Sequence, residues 1–389
     1  MVEQGFLDGV KVLDLSLVGP ASRATRLLAD YGARVIKIMP VSSSTAQPIV
    51  PAFYAYSASR YMERIAIDLK AREGKQVFLE LAKSAHVIVE SFRPGVTHRL
   101  GIDFESTRAI NDRIIYCSTS GYGQYGERSS WVGHDINYLA TGGFLGMSQP
   151  AAKGAPGMPG ITIADGAAGG MQAAIAIMGA LYRNSRNPIP VYLDISVTDG
   201  VLWLASLLID EHLAISSDPH FGHDVLSGRY ACYGVYQTLD NKWLAIGAIE
   251  AKFFANLCKA IGCDQWIGHQ FDEASQELIK TDFENAFVAK TRQEWIEVLA
   301  ANETCVSPVL EIAEICNDDA LQARGAFNEV VTRDGEKFRQ LAPLFGGMRH
   351  SVEPVSISEA SEFNTRSILA EIGMSQEAID QLIQANVVQ

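Results

Sequence analysis

Within the first 120 residues, apolar β-rich runs alternate with helical patterns, and this alternation restricts the fold more than any other feature. Val10–Leu15 (VKVLDL), Arg34–Ile38 (RVIKI), His86–Glu90 (HVIVE) and Arg113–Ser118 (RIIYCS) read as strands, and Ile65–Leu69 is a short extended piece. Between them fall a Gly19-Pro20 turn with a helix running to Asp30, a helix at Lys75–Lys83, and one closed by Thr107–Asn111. Strands that alternate with helices predict βαβ units. They form a parallel sheet whose ligands bind at the strands' carboxyl ends.

The grammar changes further on. A long small-residue helix follows Asp165, then a strand at Pro190–Val197 and an apolar helix at Asp199–Leu213. Tyr230–Thr238 and Lys242–Ala248 flank Leu239-Asp240-Asn241, which is a hairpin signal. Helical segments run from Lys252 to Ala301, and two short helices, Ser367–Gly373 and Gln376–Ala385, lie near the end. The pattern suggests a large domain over 1–218, a smaller domain with a hairpin and helices over 219–324, and a segment over 325–389 that returns to the large domain.

At 389 residues the chain exceeds one ordinary core. Its formal charge of -13, with no basic run, argues against nucleic acid as a partner. Any anionic ligand must then be met by a few local Arg and Lys. The six cysteines contain no C-x-x-C pair, so neither a zinc site nor a disulfide framework is expected. Ile161–Tyr182 is almost free of charge, yet it is built from Ala and Gly and carries Asp165, which favours a buried helix over a membrane span. With no signal peptide at MVEQGFLDGV and no S-K-L-type ending, a cytoplasmic protein without membrane attachment is expected.

Gly121-Tyr122-Gly123-Gln124-Tyr125-Gly126 is a literal G-x-G-x-x-G after a strand. A dinucleotide fingerprint needs a helix opening there, and Glu127-Arg128-Ser129-Ser130-Trp131 has no helical apolar period, so a flexible loop over a pocket is the better reading. No G-x-S-x-G nucleophile elbow exists, and His220-Phe221-Gly222-His223 lacks the acids or cysteines a metal would need. Three features remain for acid–base chemistry. Gly133-His134-Asp135-Ile136-Asn137-Tyr138 supplies a histidine, or only a helix start capped by Asp135. Asp165 precedes Gly166-Ala167-Ala168-Gly169-Gly170, where it reads as an N-cap kept ionised by the helix dipole, with glycines that let a ligand approach. Glu250 ends the hairpin.

Taken together, these segments resemble the class III CoA-transferase (CaiB/BaiF-type) superfamily, and within it most closely the 2-methylacyl-CoA racemases. The resemblance rests on Leu7–Leu15, Leu28–Lys37, Ile67-Asp68-Leu69-Lys70, Glu90–Val96, Ser120–Gln124, Gly133–Tyr138, Gly247–Glu250 and Cys305–Val309, in order along nearly the whole chain. It implies an α/β fold, with a Rossmann-like parallel sheet in the large domain, a smaller α+β domain and an interlocked homodimer. It implies an acyl-CoA substrate, no metal and no other cofactor. It further implies that His134 and Asp165 are the two proton carriers of a racemase and that Glu250 pairs with His134. In the transferases, the position of Asp165 is instead the nucleophile of an aspartyl-CoA thioester. Adenine contacts fall on Ile67, Asp68, Leu69 and Lys70. Arg93, Lys37 and Lys70 are candidates for the phosphates, and Gly133, Asp135, Ile136, Asn137 and Tyr138 are candidates for binding the substrate or its CoA. The chain departs from the pattern at Ile38-Met39-Pro40, where a phosphate-binding Arg is missing and Lys37 or Arg60 must substitute, and at Asn187-Pro188-Ile189.

Overall fold

The computed structural model describes residues 5–41, 60–348, 353–357 and 362–389. Six parallel strands form its main sheet in the order β3-β2-β1-β4-β5-β6. They are β1 (Lys11–Asp14), β2 (Arg34–Met39), β3 (Glu63–Ala66), β4 (Val87–Glu90), β5 (Ile115–Ser120) and β6 (Val191–Ser196). This is the doubly wound order, which reverses between β1 and β4 and opens a crevice at their carboxyl ends.

The strands are apolar on both faces because both are covered. Leu13, Ile36, Ile65, Ile88 and Tyr116 pack on one side with Phe78 and Leu81 of helix α1 (Arg72–Lys83) and with Ile368, Leu369 and Ile379 near the C-terminus. Val12, Val35, Val87, Val89 and Cys117 face the other side, toward Ala21, Ala24 and Leu28 of Pro20–Asp30 and Ala173 and Ile177 of Gln172–Asn184. Adjacent residues turning to opposite faces is the period-two rule of a strand. Each buried Leu or Ile stabilises the fold by about 1.5–3 kcal/mol. The last residues join the same body: the Gln389 N–H donates to Ala66 O at 3.0 Å and the Asp68 N–H to Val387 O at 2.8 Å.

By packing, the chain divides into two compact units, Met1–Phe144 with Pro159–Ile209 and Ala320–Gln389, and Leu145–Met158 with Asp210–Asp319. The excursion Leu145–Met158 has no counterpart in the division drawn from the sequence. In the second unit Tyr233–Gln237 and Trp243–Gly247 form the expected antiparallel hairpin, with Asn241 at φ 58 in its turn. Val306–Pro308 adds a third strand. Phe254, Phe283, Phe287 and Trp295 fill this unit's core. The apolar stretch read as one helix over Asp199–Leu213 is two, Val197–Leu204 and Ser206–Ile215. Among the described residues, no helix is long and apolar enough to cross a membrane.

Candidate functional site

Of the site candidates, Arg93, Gly133, His134, Asn137 and Tyr138 gather beyond β4 and β5, where the glycine loop leaves the sheet. The loop's composition has a local cause. A Cβ on Gly121 would lie 2.1 Å from Tyr138 Cε1, and Gly123 and Gly126 hold φ of 82 and 85. Glu127–Ser130 after the loop is a single 3-10 turn and not the α-helix that a dinucleotide fingerprint needs at that point. The loop is tied rather than loose, because the Gln124 N–H donates to Asp194 Oδ2 at 3.0 Å.

His134 is exposed and stands at the N-cap of the helix Asp135–Thr141, where its own N–H donates to Asn137 Oδ1 at 3.0 Å. Asp135 is therefore not the cap. Its Oδ1 accepts the Asp165 N–H at 2.8 Å, which joins two segments thirty positions apart. Tyr138 packs below, its hydroxyl donating to Gly133 O at 2.5 Å and its ring edge-on to Tyr122 at 5.3 Å. Burial and the charge of Asp165 push the Tyr138 hydroxyl up to about 12. Ile136 is solvent-exposed.

Asp165 is a second correction. Its segment, Ala164–Met171, is π-helical, Ile163 occupies the cap, and Asp165 sits in the first turn. Burial, reinforced by Asp135, raises its carboxyl to about 6, against the opposing pull of Arg23 and His134. The helix dipole does not keep it at an ordinary carboxylate value. The glycines around it are mostly packing devices: Cβ atoms would meet Pro20 at 2.5 Å from Gly169, Arg23 at 2.6 Å from Gly170, and the Ala168 carbonyl at 2.0 Å from Gly200. Only Gly166 faces open space, and its N–H already donates to Thr162 O at 3.2 Å. On the sheet side the nearest atom a Cβ on Gly19 would meet is Asp165 Oδ2, at 3.9 Å. The carboxyl thus borders the β1 loop that forms the crevice.

A cavity of about 380 Å³ is walled by the turn Ser91–Pro94, by Gly121 and Tyr122, and by Trp131, His134, Asn137 and Tyr138. It contains His134 but not Asp165; the two are linked through charge and through Asp135. Arg93 is exposed on its wall, and none of the salt bridges among the described residues includes it. Lys37, by contrast, is buried, with Nζ 2.9 Å from Asp14 Oδ2, and Arg60 is buried against Asp30 at 3.1 Å. Neither presents a free cation to a phosphate, because each charge is neutralised in the core. Ile67 is a core residue and Lys70 is exposed, its N–H donating to Asp68 Oδ1 at 3.0 Å; half-buried Asp68 and Leu69 lie between them. These residues follow β3, three strand spacings or about 14 Å from β4 on the same edge. Glu250 lies in the second unit, exposed, at the N-cap of Ala251–Ile261, without a side-chain capping bond.

Sequence reasoning missed Glu90 and Asp194. Glu90 is 2% exposed, and burial lifts its carboxyl to about 7; Asp194 is raised for the same reason. Their signal was present as acids closing or interrupting apolar strands, with no cation to meet them.

Comparison with known proteins gives this architecture its relatives. Alpha-methylacyl-CoA racemase of Homo sapiens is 31% identical over 97% of this chain and 96% of its own. Acetyl-CoA:oxalate CoA-transferase of Acetobacter aceti is 30% identical over 82% of this chain and 85% of its own. In fold, the crystal structure of a CAIB/BAIF family protein from Brucella suis matches 95% of this chain and 100% of its own with a TM-score of 0.75 at 22% identity. The family model described as CoA-transferase family III matches residues 7–359, and the chain belongs to that family.

Proposed function

We propose that the protein racemises 2-methyl-branched acyl-CoA thioesters by moving the α-proton between His134 and Asp165. The observation that carries this reading is Asp165: a half-buried carboxyl lifted to about 6 by burial, beside a histidine and bordering the crevice loop. A proton α to a thioester is far less acidic than any side chain, so its removal needs a positioned base, exclusion of water and stabilisation of the enolate. A carboxyl raised by burial suits an exchange in which one carrier accepts as the other donates. Glu250 is proposed to orient the imidazole and support its charged form. Arg93 and Lys70, both exposed cations, are the proposed phosphate contacts. The chemistry requires no metal or organic cofactor beyond the CoA of the substrate.

The homodimer is part of the proposal. Helix Ser206–Ile215 buries none of its residues, and Trp203, Leu207, Leu213 and Ile215 are each more than 70% exposed, which suits an interface with a second copy. Incubation of a pure 2-methylacyl-CoA stereoisomer in heavy water tests the reading. The α-proton should exchange and the stereocentre scramble without an acceptor acid. No exchange across aliphatic and steroid side-chain thioesters refutes it.

A second reading, CoA transfer between carboxylic acids through an Asp165 thioester, draws support from the oxalate CoA-transferase among the relatives. It predicts a covalent adduct at Asp165, trapped by hydroxylamine or borohydride.

A further inference from the structure

Two acids that the proposed reaction does not use lie under the cavity, and each grips one of its walls. Glu90 closes β4 at the switch point and is almost wholly buried. One of its oxygens accepts from the Ser118 hydroxyl of β5, and the other accepts the Phe92 N–H at 2.7 Å. The strand ends are locked again where the Thr119 hydroxyl donates to Glu90 O at 3.2 Å. The turn so held is Ser91–Gly95, closed by the Val96 N–H on Arg93 O at 3.1 Å, and it supplies Phe92, Arg93 and Pro94 to the cavity. Asp194 of β6 holds the glycine loop, whose Gly121 and Tyr122 also line the cavity, through the Gln124 N–H. No salt bridge among the described residues includes either acid, so neither is a structural ion pair. Tyr116, Cys117 and Tyr192 are the other titratable groups around Glu90.

We propose that Glu90 is a positioning residue for CoA binding: through its bond to the Phe92 N–H it sets the turn that carries Arg93 against the ligand, while Asp194 sets the facing glycine loop. The inference rests on the cavity taking the CoA part of the substrate, and not on which reaction follows. Glutamate is required for reach. An aspartate there is one methylene short, whereas glutamine can still accept from the backbone N–H and donate to Ser118. Loss of a buried acceptor corresponds to about a five- to hundredfold effect where the displaced group contacts a ligand.

The test is calorimetric binding of free CoA, with thermal melts to show that each variant is folded at the temperature used. Glu90→Ala and Glu90→Asp are expected to bind about tenfold more weakly, Glu90→Gln within about threefold of wild type, and Asp194→Ala between them. In turnover with a 2-methylacyl-CoA, the loss should fall on KM and leave kcat within about threefold, which a general loosening of the fold would not reproduce. Glu90→Asp guards against an unfolded alanine variant. Wild-type affinity in folded Glu90→Asp, or equal loss in Glu90→Gln and Glu90→Asp, overturns the proposal. No CoA binding by the wild-type protein overturns it together with the proposed function, whereas CoA binding without α-proton exchange removes only the racemase reading.

Discussion

Two ends of one sheet treat buried charge in opposite ways. Around β1 and β2 two buried cations have their acids: Lys37 with Asp14, which also accepts from Ser16 and Thr25, and Arg60 with Asp30. Glu90 of β4 and Asp194 of β6, with Asp165 beyond the strands' carboxyl ends, make no salt bridge among the described residues, and burial lifts all three carboxyls. A paired buried charge is fixed in one protonation state and serves the fold. An unpaired acid that titrates near neutrality costs stability and can exchange protons, which is why such groups mark sites of chemistry.

The largest effects should come from the unpaired end. Asp165→Ala and His134→Ala are each expected to lower racemisation by about a thousandfold or more, with CoA affinity nearly unchanged. Interconversion of the two stereoisomers above a tenth of the wild-type rate in either variant breaks the two-carrier assignment. At the paired end the effect should be on stability alone. Asp14→Asn leaves Lys37 buried without a counter-charge and is expected to cost about 3–5 kcal/mol in urea denaturation, while the folded fraction keeps its exchange rate. A catalytic loss without a stability loss would move Lys37 across the divide.

Asp135→Asn sharpens the contrast. It removes a negative neighbour that helps raise Asp165, so the Asp165 carboxyl should titrate lower and the acidic limb of the rate profile should shift to lower pH. The smallest effect concerns Glu90, whose carboxyl rises from an ordinary 4.5 to about 7 in the fold. The folded state then holds the proton more tightly than the unfolded chain, so this group favours folding at low pH and the contribution fades as pH climbs through about 7. Glu90→Gln should flatten that decline in melting temperatures recorded from about pH 5 to about pH 8.

The sheet was readable because its strands are contiguous apolar runs punctuated by glycine, so VKVLDL, RVIKI and HVIVE announce themselves within a few residues. Local pattern also exposed the hairpin at Asp240-Asn241. It could not expose the charge pairing, because Lys37 meets Asp14 only through strand register, Asp14 lying opposite Lys37 between β1 and β2. The same holds for the bond from Asp165 to Asp135, which depends on two loops meeting. Nor does a glycine-rich string distinguish ligand approach from tight packing. Gly169 and Gly170 proved to be packing contacts, and Asp165 lies inside the first π-helical turn rather than at its cap. Val306–Pro308 was too short to carry a period of its own.

Gly200 also bears on how such an enzyme can be altered. Any side chain there would have to displace the Ala168 backbone carbonyl, three residues beyond Asp165 on the same helical segment. Random mutagenesis should therefore find position 200 closed even to alanine.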